Sequence, residues 1–202
     1  MSSGPDVPIA QASWPWSDDL QFSHGDVTLA PYRQEDAVEL FTALDEDAVW
    51  EHVRGRPSSP ADLAVTMAAA RTNGRWPLVV RLAGRIVGTT SFLDVSTVDA
   101  RCEIGFTLYD RGVWGGVVNP SCKLLMMTWA FGACGMNRVQ LKTDIQNLRS
   151  QRAIEGLGAV REGVLRAYQR RANDTMRDSV FYSVLASEWP PVKAALLLRI
   201  NS

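Results

Sequence analysis

The stretch with the most chemical promise is the glycine-rich run RGVWGGVV (Arg111 to Val118). It lies between a strand-like segment, CEIGFTLY (Cys102 to Tyr109), and the pair Asn119-Pro120. Glycine lets a backbone turn sharply and come close to a ligand. Asn-Pro reads as a helix start: Asn is a good N-cap, and proline at the first helical position gives up an amide that has no intrahelical partner. A helix start offers unsatisfied amides and the positive end of a dipole. Strand, loop and helix together would cradle an anion such as a pyrophosphate. The same turn also occurs for packing alone, so further features must decide. Other chemistries find less support. Cys102, Cys122 and Cys134 are odd in number, lack paired spacing and sit in apolar contexts, which reads as buried free thiols. His24 and His52 are the only histidines, so no metal-ligand spacing exists and no metal is expected. Both histidines sit in polar, loop-like surroundings, poor places for a Ser-His or Cys-His nucleophile.

The elements that must hold this unit can be read from periodicity and breakers. Residues 1–24, rich in Ser, Pro, Asp and Gln, read as an extended N-terminal arm, with Trp14 and Trp16 as anchors. Val27 to Arg33 reads as a first strand, and Gln34 to Leu44 as an amphipathic helix. Residues 45–60 read as a loop, and Ser59-Pro60 caps a second helix reaching about Thr72. Trp76 to Ala83 and Arg85 to Val95 form a hairpin around Gly84. After the Gly-rich unit come a strand, Arg138 to Asp144, and a helix capped by Asn147 and closed by Gly158. A strand pair turning at Asn173-Asp174 and a short apolar C-terminal helix finish the chain. That helix could close the chain's own sheet or pack against a second subunit as a homodimer. The order predicts one α/β domain over 25–202, a mixed α+β sheet rather than a doubly wound nucleotide fold.

Composition sets the remaining bounds. The chain has 202 residues, 46% hydrophobic and 21% charged, with a net charge of −1. That suits a single globular domain and gives no general attraction to nucleic acid or an anionic membrane. No apolar run approaches the roughly 20 residues a membrane span requires, and the N-terminus lacks a signal-peptide pattern, so a cytoplasmic location is expected.

Three further features accompany the loop. Glu103-Ile104-Gly105-Phe106 precedes it, Trp114-Gly115 lies within it with Asn119-Pro120 and Lys123 beyond, and LKTDIQNLRSQRAIEGLGAVREGVLR joins a strand to a helix with Asn147 and Ser150 in its first turn. The combination resembles the GNAT superfamily of N-acyltransferases, in the branch of the RimJ and RimL ribosomal-protein acetyltransferases. The resemblance covers roughly residues 25–190.

The resemblance implies a GNAT-like fold with splayed central strands, Cys102 to Tyr109 and Arg138 to Asp144. Acetyl-CoA or another acyl-CoA would lie between them. Backbone groups of Phe106, Thr107 and Leu108 would pair with the pantetheine arm. Amides of Val113, Trp114, Gly115, Gly116, Val117 and Val118 would hold the pyrophosphate. Asn147 would contact pantetheine and Ser150 would lie near the sulfur. The family loop reads Gln/Arg-x-x-Gly-x-Gly/Ala. Here Gly115 fills the first glycine position, but Val117 stands at the second, Gly112 stands where Gln or Arg is usual, and Ser121 stands where the branch often has Glu.

The chemistry expected is direct transfer of an acyl group to a primary amine in a ternary complex. Glu103 is the general-base candidate, against an ion-paired strand residue. Ser150 is the proton donor to the leaving thiolate, against an ordinary helix-cap serine, and Tyr109 is a weaker acid. An amide near Phe106 or Thr107 would meet the oxyanion. Trp50, Trp76 and Trp114 could wall an acceptor pocket, or be core. Arg161, Arg166, Arg170, Arg171 and Arg177 could meet the 3′-phosphate of CoA or an acidic acceptor, although Glu162, Asp174 and Asp178 interrupt them as on a solvated hairpin face. The acceptor stays open between a protein N-terminus, an amino acid or peptide, and an amine-bearing small molecule. A non-catalytic acyl-CoA-binding or interaction protein on the same fold is the competing reading. A nucleotide-binding module lacks its GKS/T and acidic signatures.

Overall fold

The computed structural model describes residues 11–201; the first ten residues of the expected arm lie outside the described part. Its eight strands are β1 (Phe22–His24), β2 (Val27–Pro31), β3 (Trp76–Leu82), β4 (Arg85–Ser96), β5 (Arg101–Tyr109), β6 (Arg138–Asp144), β7 (Val160–Arg170) and β8 (Met176–Leu185). Six helices accompany them: α1 (Ala37–Leu44), α2 (Asp47–Trp50), α3 (Pro60–Ala70), α4 (Val118–Gly132), α5 (Leu148–Glu155) and α6 (Trp189–Asn201). One mixed sheet runs β1-β2-β3-β4-β5-β6-β8-β7, antiparallel throughout except for the parallel pair β5–β6. The Gly-rich loop with α4 supplies the crossover that this pair needs, and α5 carries the chain past the position of β8 to the edge strand β7.

Local signals account for most elements. Ala83 and Gly84 turn the β3–β4 hairpin, both with positive φ (49° and 82°), as the two-residue turn that matches strand twist requires. Ser59 caps α3 by accepting the amide of Asp62 at 3.1 Å. Asn147 caps α5 by accepting the amide of Ser150 at 3.0 Å.

The differences from the sequence reading are informative. Phe22–His24, expected in the arm, pairs with β2 as an edge strand. Asp47–Trp50, expected in a loop, makes one helical turn. Helix α4 begins at Val118 with Val117 at the cap, so Asn119 is inside the first turn rather than capping it. Pro120 still falls among the positions whose amides have no intrahelical partner. Helix α5 stops at Glu155, and Gly158 turns left-handed (φ 88°) two residues beyond the Gly156 cap.

Two cores hold the sheet. On one face Phe92, Ile104, Leu141 and Tyr182 pack with Met126 and Met127 of α4, Ile154 of α5 and Leu196 of α6. Trp14 and Trp16 close this face's far end against Trp76 and Trp129. On the other face α1, α2 and α3 bury Leu40, Trp50 and Met67 over Val79, Ile86 and Leu108. That second core reaches no farther than β5, so the face carrying Gln140, Lys142 and Phe181 is left to polar and aromatic groups.

Candidate active site at the parted strands

Strands β5 and β6 pair only at their starts, through Arg101–Arg138, Cys102–Val139 and Glu103–Gln140. Beyond Glu103 they part, and β6 continues fully paired with β8. The parting coincides with a bulge: Gly105 faces Ser91 and Leu108 faces Thr89, so Phe106 and Thr107 share the single partner position at Thr90. Phe106 takes a positive φ of 50°, a conformation costing about 1 kcal/mol for a side-chain-bearing residue. The bulge reverses the alternation of faces. Cys102 and Ile104 point into the α4-side core, and so does Tyr109, while Leu108 joins the opposite core.

A cavity of about 520 Å³ passes through the gap between the strands and touches both faces of the sheet. On the α4 side lie Ile104, Lys123, Asn147, Ser150 and Ile154; on the other lie Glu103, Lys142, His52, Arg54 and Arg177. The loop after β5 forms its rim. Val113, Trp114 and Gly116 already donate their amides to Asp110, Arg111 and Val113. Gly115, Val117, Val118 and Asn119 have amides with no partner among the described residues, and they lead into the start of a 15-residue helix. Gly115 needs to be glycine for its φ of 75°, whereas Gly116 does not. Val117 stands in helical conformation and is 44% exposed, so the departure from the family loop lies at the surface rather than packed into the turn.

The candidate residues sit as follows. Glu103 is buried on the sheet face away from α4; its Oε2 accepts from Lys142 Nζ at 2.7 Å and from Gln140 at 3.1 Å. Its Oε1 lies beside Gly105, where a Cβ would come within 3.0 Å. Thr107 Oγ1 contacts Thr90 Oγ1 at 2.8 Å and accepts from Lys123 Nζ at 3.0 Å. Ser150 lines the cavity, and only its amide serves the cap. Tyr109 is buried with its hydroxyl donating to Asn119 at 3.4 Å, and burial pushes its pKa well above the ordinary value. Trp114 lines the cavity and anchors its indole N–H on the Tyr109 carbonyl at 2.9 Å. Trp50 and Trp76 do not line it: Trp50 is in the second core and Trp76 belongs to the tryptophan cluster. Burial pushes the Cys102 and Cys134 thiols up to about 12 and Cys122 to about 11, which leaves all three inert.

Three cavity residues escaped the sequence reading as functional groups. Lys123 is the only charged residue in α4, yet it is 4% exposed; burial brings its pKa down to about 8. That lone charge in an apolar helix was the available signal. Lys142 needed the β5–β6 register before it could be matched with Glu103. Arg149 of α5 stacks on the Trp114 ring at 3.4 Å, spanning the open end of the gap.

The acetyltransferase (GNAT) domain family matches residues 26–160, the segment that runs from β2 through the Gly-rich loop and both parted strands to the start of β7. This chain belongs to the GNAT acetyltransferase family. YdaF of Bacillus subtilis (strain 168), provisionally named a ribosomal N-acetyltransferase, is 29% identical over 106 residues, 52% of this chain and 57% of that protein. The chain thus spans little more than half the length of that curated relative. A structure from T. thermophilus, provisionally assigned as an acetyltransferase, superimposes at a TM-score of 0.83 with 34% identity, covering 92% of this chain and 99% of that one. RimJ of Mycobacterium smegmatis, solved in complex with CoA-disulfide, shares the fold at a TM-score of 0.74 and 22% identity over 85% of this chain and 88% of its own. The GNAT fold and the RimJ/RimL-like likeness expected from the sequence are both found. Among the described residues no group of histidines, cysteines and carboxylates could hold a metal, and no helix is long and apolar enough to cross a membrane.

Proposed function

We propose that this GNAT protein transfers an acyl group, acetyl in the first instance, from acyl-CoA to a primary amine by direct transfer in a ternary complex. One observation carries the reading: the cavity opens onto both faces of the sheet through the β5–β6 gap, so two substrates can meet from opposite sides. The residues fit a CoA-shaped donor. The partnerless amides of Gly115, Val117, Val118 and Asn119 at the α4 dipole suit a diphosphate, and the unpaired inner edge of β5 suits the amides of a pantetheine arm. Acyl-CoA contributes a carbonyl already activated as a thioester.

The chain's own residues then have limited tasks, because positioning supplies much of the rate. Glu103 Oε1 takes the proton of the incoming ammonium, directly or through one water. Lys142 and Gln140 fix its carboxylate through Oε2. The amide of Phe106 or Thr107, set by the bulge, meets the negative charge that develops on the carbonyl oxygen. The Lys123 ammonium behind Thr107 adds a favourable field there. Ser150 Oγ returns a proton to the leaving thiolate, while Asn147 Nδ2 remains available to pantetheine. Tyr109 is a packing residue in this scheme.

The test is to incubate purified protein with acetyl-CoA and a broad panel of amines and to follow thiol release. Turnover that falls at least tenfold in Glu103→Gln or Ser150→Ala is expected. Tight CoA binding with no turnover on any amine would instead favour a non-catalytic acyl-CoA-binding protein.

A further inference from the structure

We infer that Arg177 forms a carboxylate-binding subsite for the acceptor, so that the favoured substrate is an amine carrying a carboxylate. The inference rests on the transferase reading above. The alternation of β8 places Arg177 on the same sheet face as Ser179, Phe181 and Ser183, opposite Val180, Tyr182 and Val184 in the α4-side core. That is the face of Glu103 and Lys142, and Arg177 lines the cavity there. Its Nε donates to Ser179 Oγ at 3.0 Å, and among the described residues no carboxylate lies within ion-pair distance.

The neighbouring carboxylates are committed elsewhere. Asp144 takes Arg171 at 2.7 and 3.0 Å. Glu103 takes Lys142, Asp174 is shared by Arg54 and Arg170 at 3.7 Å each, and Asp178 accepts the Ala167 amide. Among the described residues this half-buried guanidinium thus has no hydrogen bond from its terminal nitrogens and no carboxylate in direct contact, Asp144 acting on it only at a distance. Burial lowers its pKa, the sign of a cation short of solvent; Asp144 and then Glu103 are the carboxylates it feels, and since Glu103 shares the cavity with it, the two ends of one small acceptor can span them. An unpaired buried charge is costly, and a carboxylate meeting the guanidinium fork in bidentate fashion is the chemistry that compensates it best. A simple amine, by contrast, would give the Arg177 guanidinium no anion, while Arg54 and Arg170 stay on Asp174 and Lys142 stays on Glu103.

The experiment compares acetyl transfer to matched amines: peptides with an acidic or a neutral residue beside the N-terminus, free aspartate and glutamate, and their uncharged amides. Wild type should favour the acidic members at least tenfold in kcat/KM, and the peptide and free-acid arms separate the two sources of the carboxylate. Arg177→Gln should erase that preference through KM, with Arg177→Lys intermediate and the KM for acetyl-CoA unchanged. Melting temperatures check that both variants fold. Equal losses on acidic and neutral acceptors, or a rise in the acetyl-CoA KM alone, would overturn the assignment and give Arg177 to the donor. So would a wild type without preference. Absence of turnover on every amine would instead sink the transferase reading beneath it.

Discussion

Lys123→Met should make the protein more stable and a poorer catalyst. Lys123 is 4% exposed, has hydroxyls as its only hydrogen-bond partners among the described residues, and has its pKa brought from an ordinary 10.5 to about 8 by burial. A shift of that size corresponds to about 3 kcal/mol held against the charged form in the folded state. Methionine removes this penalty and fills similar volume. Losing the ammonium's contacts gives back about 1 kcal/mol, since Thr90 and Thr107 keep their bond to each other. The net gain at pH 7 is about 2 kcal/mol, or roughly 4–8 °C in Tm for a chain of this size. The pH dependence fixes the cause. The folded pKa lies below the unfolded one, so between about pH 8 and 10.5 the unfolded chain binds a proton that the folded chain does not. Wild-type stability therefore rises with pH across that window relative to the variant, by about 3 kcal/mol. Thermal melts of both proteins from pH 7 to 10.5 measure the difference, which cancels contributions from the cysteines and tyrosines common to both. A Met variant that melts lower at pH 7, or a gap constant with pH, would refute the account. If the ammonium also assists the oxyanion, kcat should fall roughly tenfold with little change in the KM for acetyl-CoA.

Glu103→Gln should lose activity and also about 3 kcal/mol of stability, because it strands Lys142, whose side chain is 12% exposed; the double change Glu103→Gln with Lys142→Met should recover the melting temperature but not the rate. Ser150→Ala should leave stability within about 0.5 kcal/mol, since the cap uses only the Ser150 amide, yet lower kcat about tenfold. Asn147→Ala removes that cap and should cost about 1 kcal/mol, seen as a lower midpoint in urea. Cys102, Cys122 and Cys134, all buried and with thiols pushed to about 11 or 12, should resist a thiol reagent in the native protein and react only on unfolding.

Sequence alone determined whatever depends on neighbours in the chain. Ala83-Gly84 favoured a tight turn, Ser59 and Asn147 favoured caps, and the order of strands and helices followed from periodicity and breakers except for the edge strand Phe22–His24 and the single turn Asp47–Trp50. The Gly-rich loop ahead of Pro120 pointed to the proposed donor side for the same reason: positive φ at Gly115 and amides without partners at a helix start are local properties. Local signals missed by one or two residues where packing overrode them, as at Val118, which is buried against the sheet and draws the helix start ahead of Asn119. What tertiary structure decided are relations between distant residues. The β5–β6 gap exists because pairing stops after Glu103–Gln140, and the bulge at Phe106 that turns Thr107 toward Lys123 depends on the register with β4. The Glu103–Lys142 pair joins residues 39 apart, and Arg177 stood out from the five arginines the sequence offered for a 3′-phosphate or an acidic acceptor only once its neighbours' carboxylates were seen engaged with other cations. Charge pairing and strand register are set by which segments meet in space, and a residue's type and spacing along the chain carry no record of that meeting.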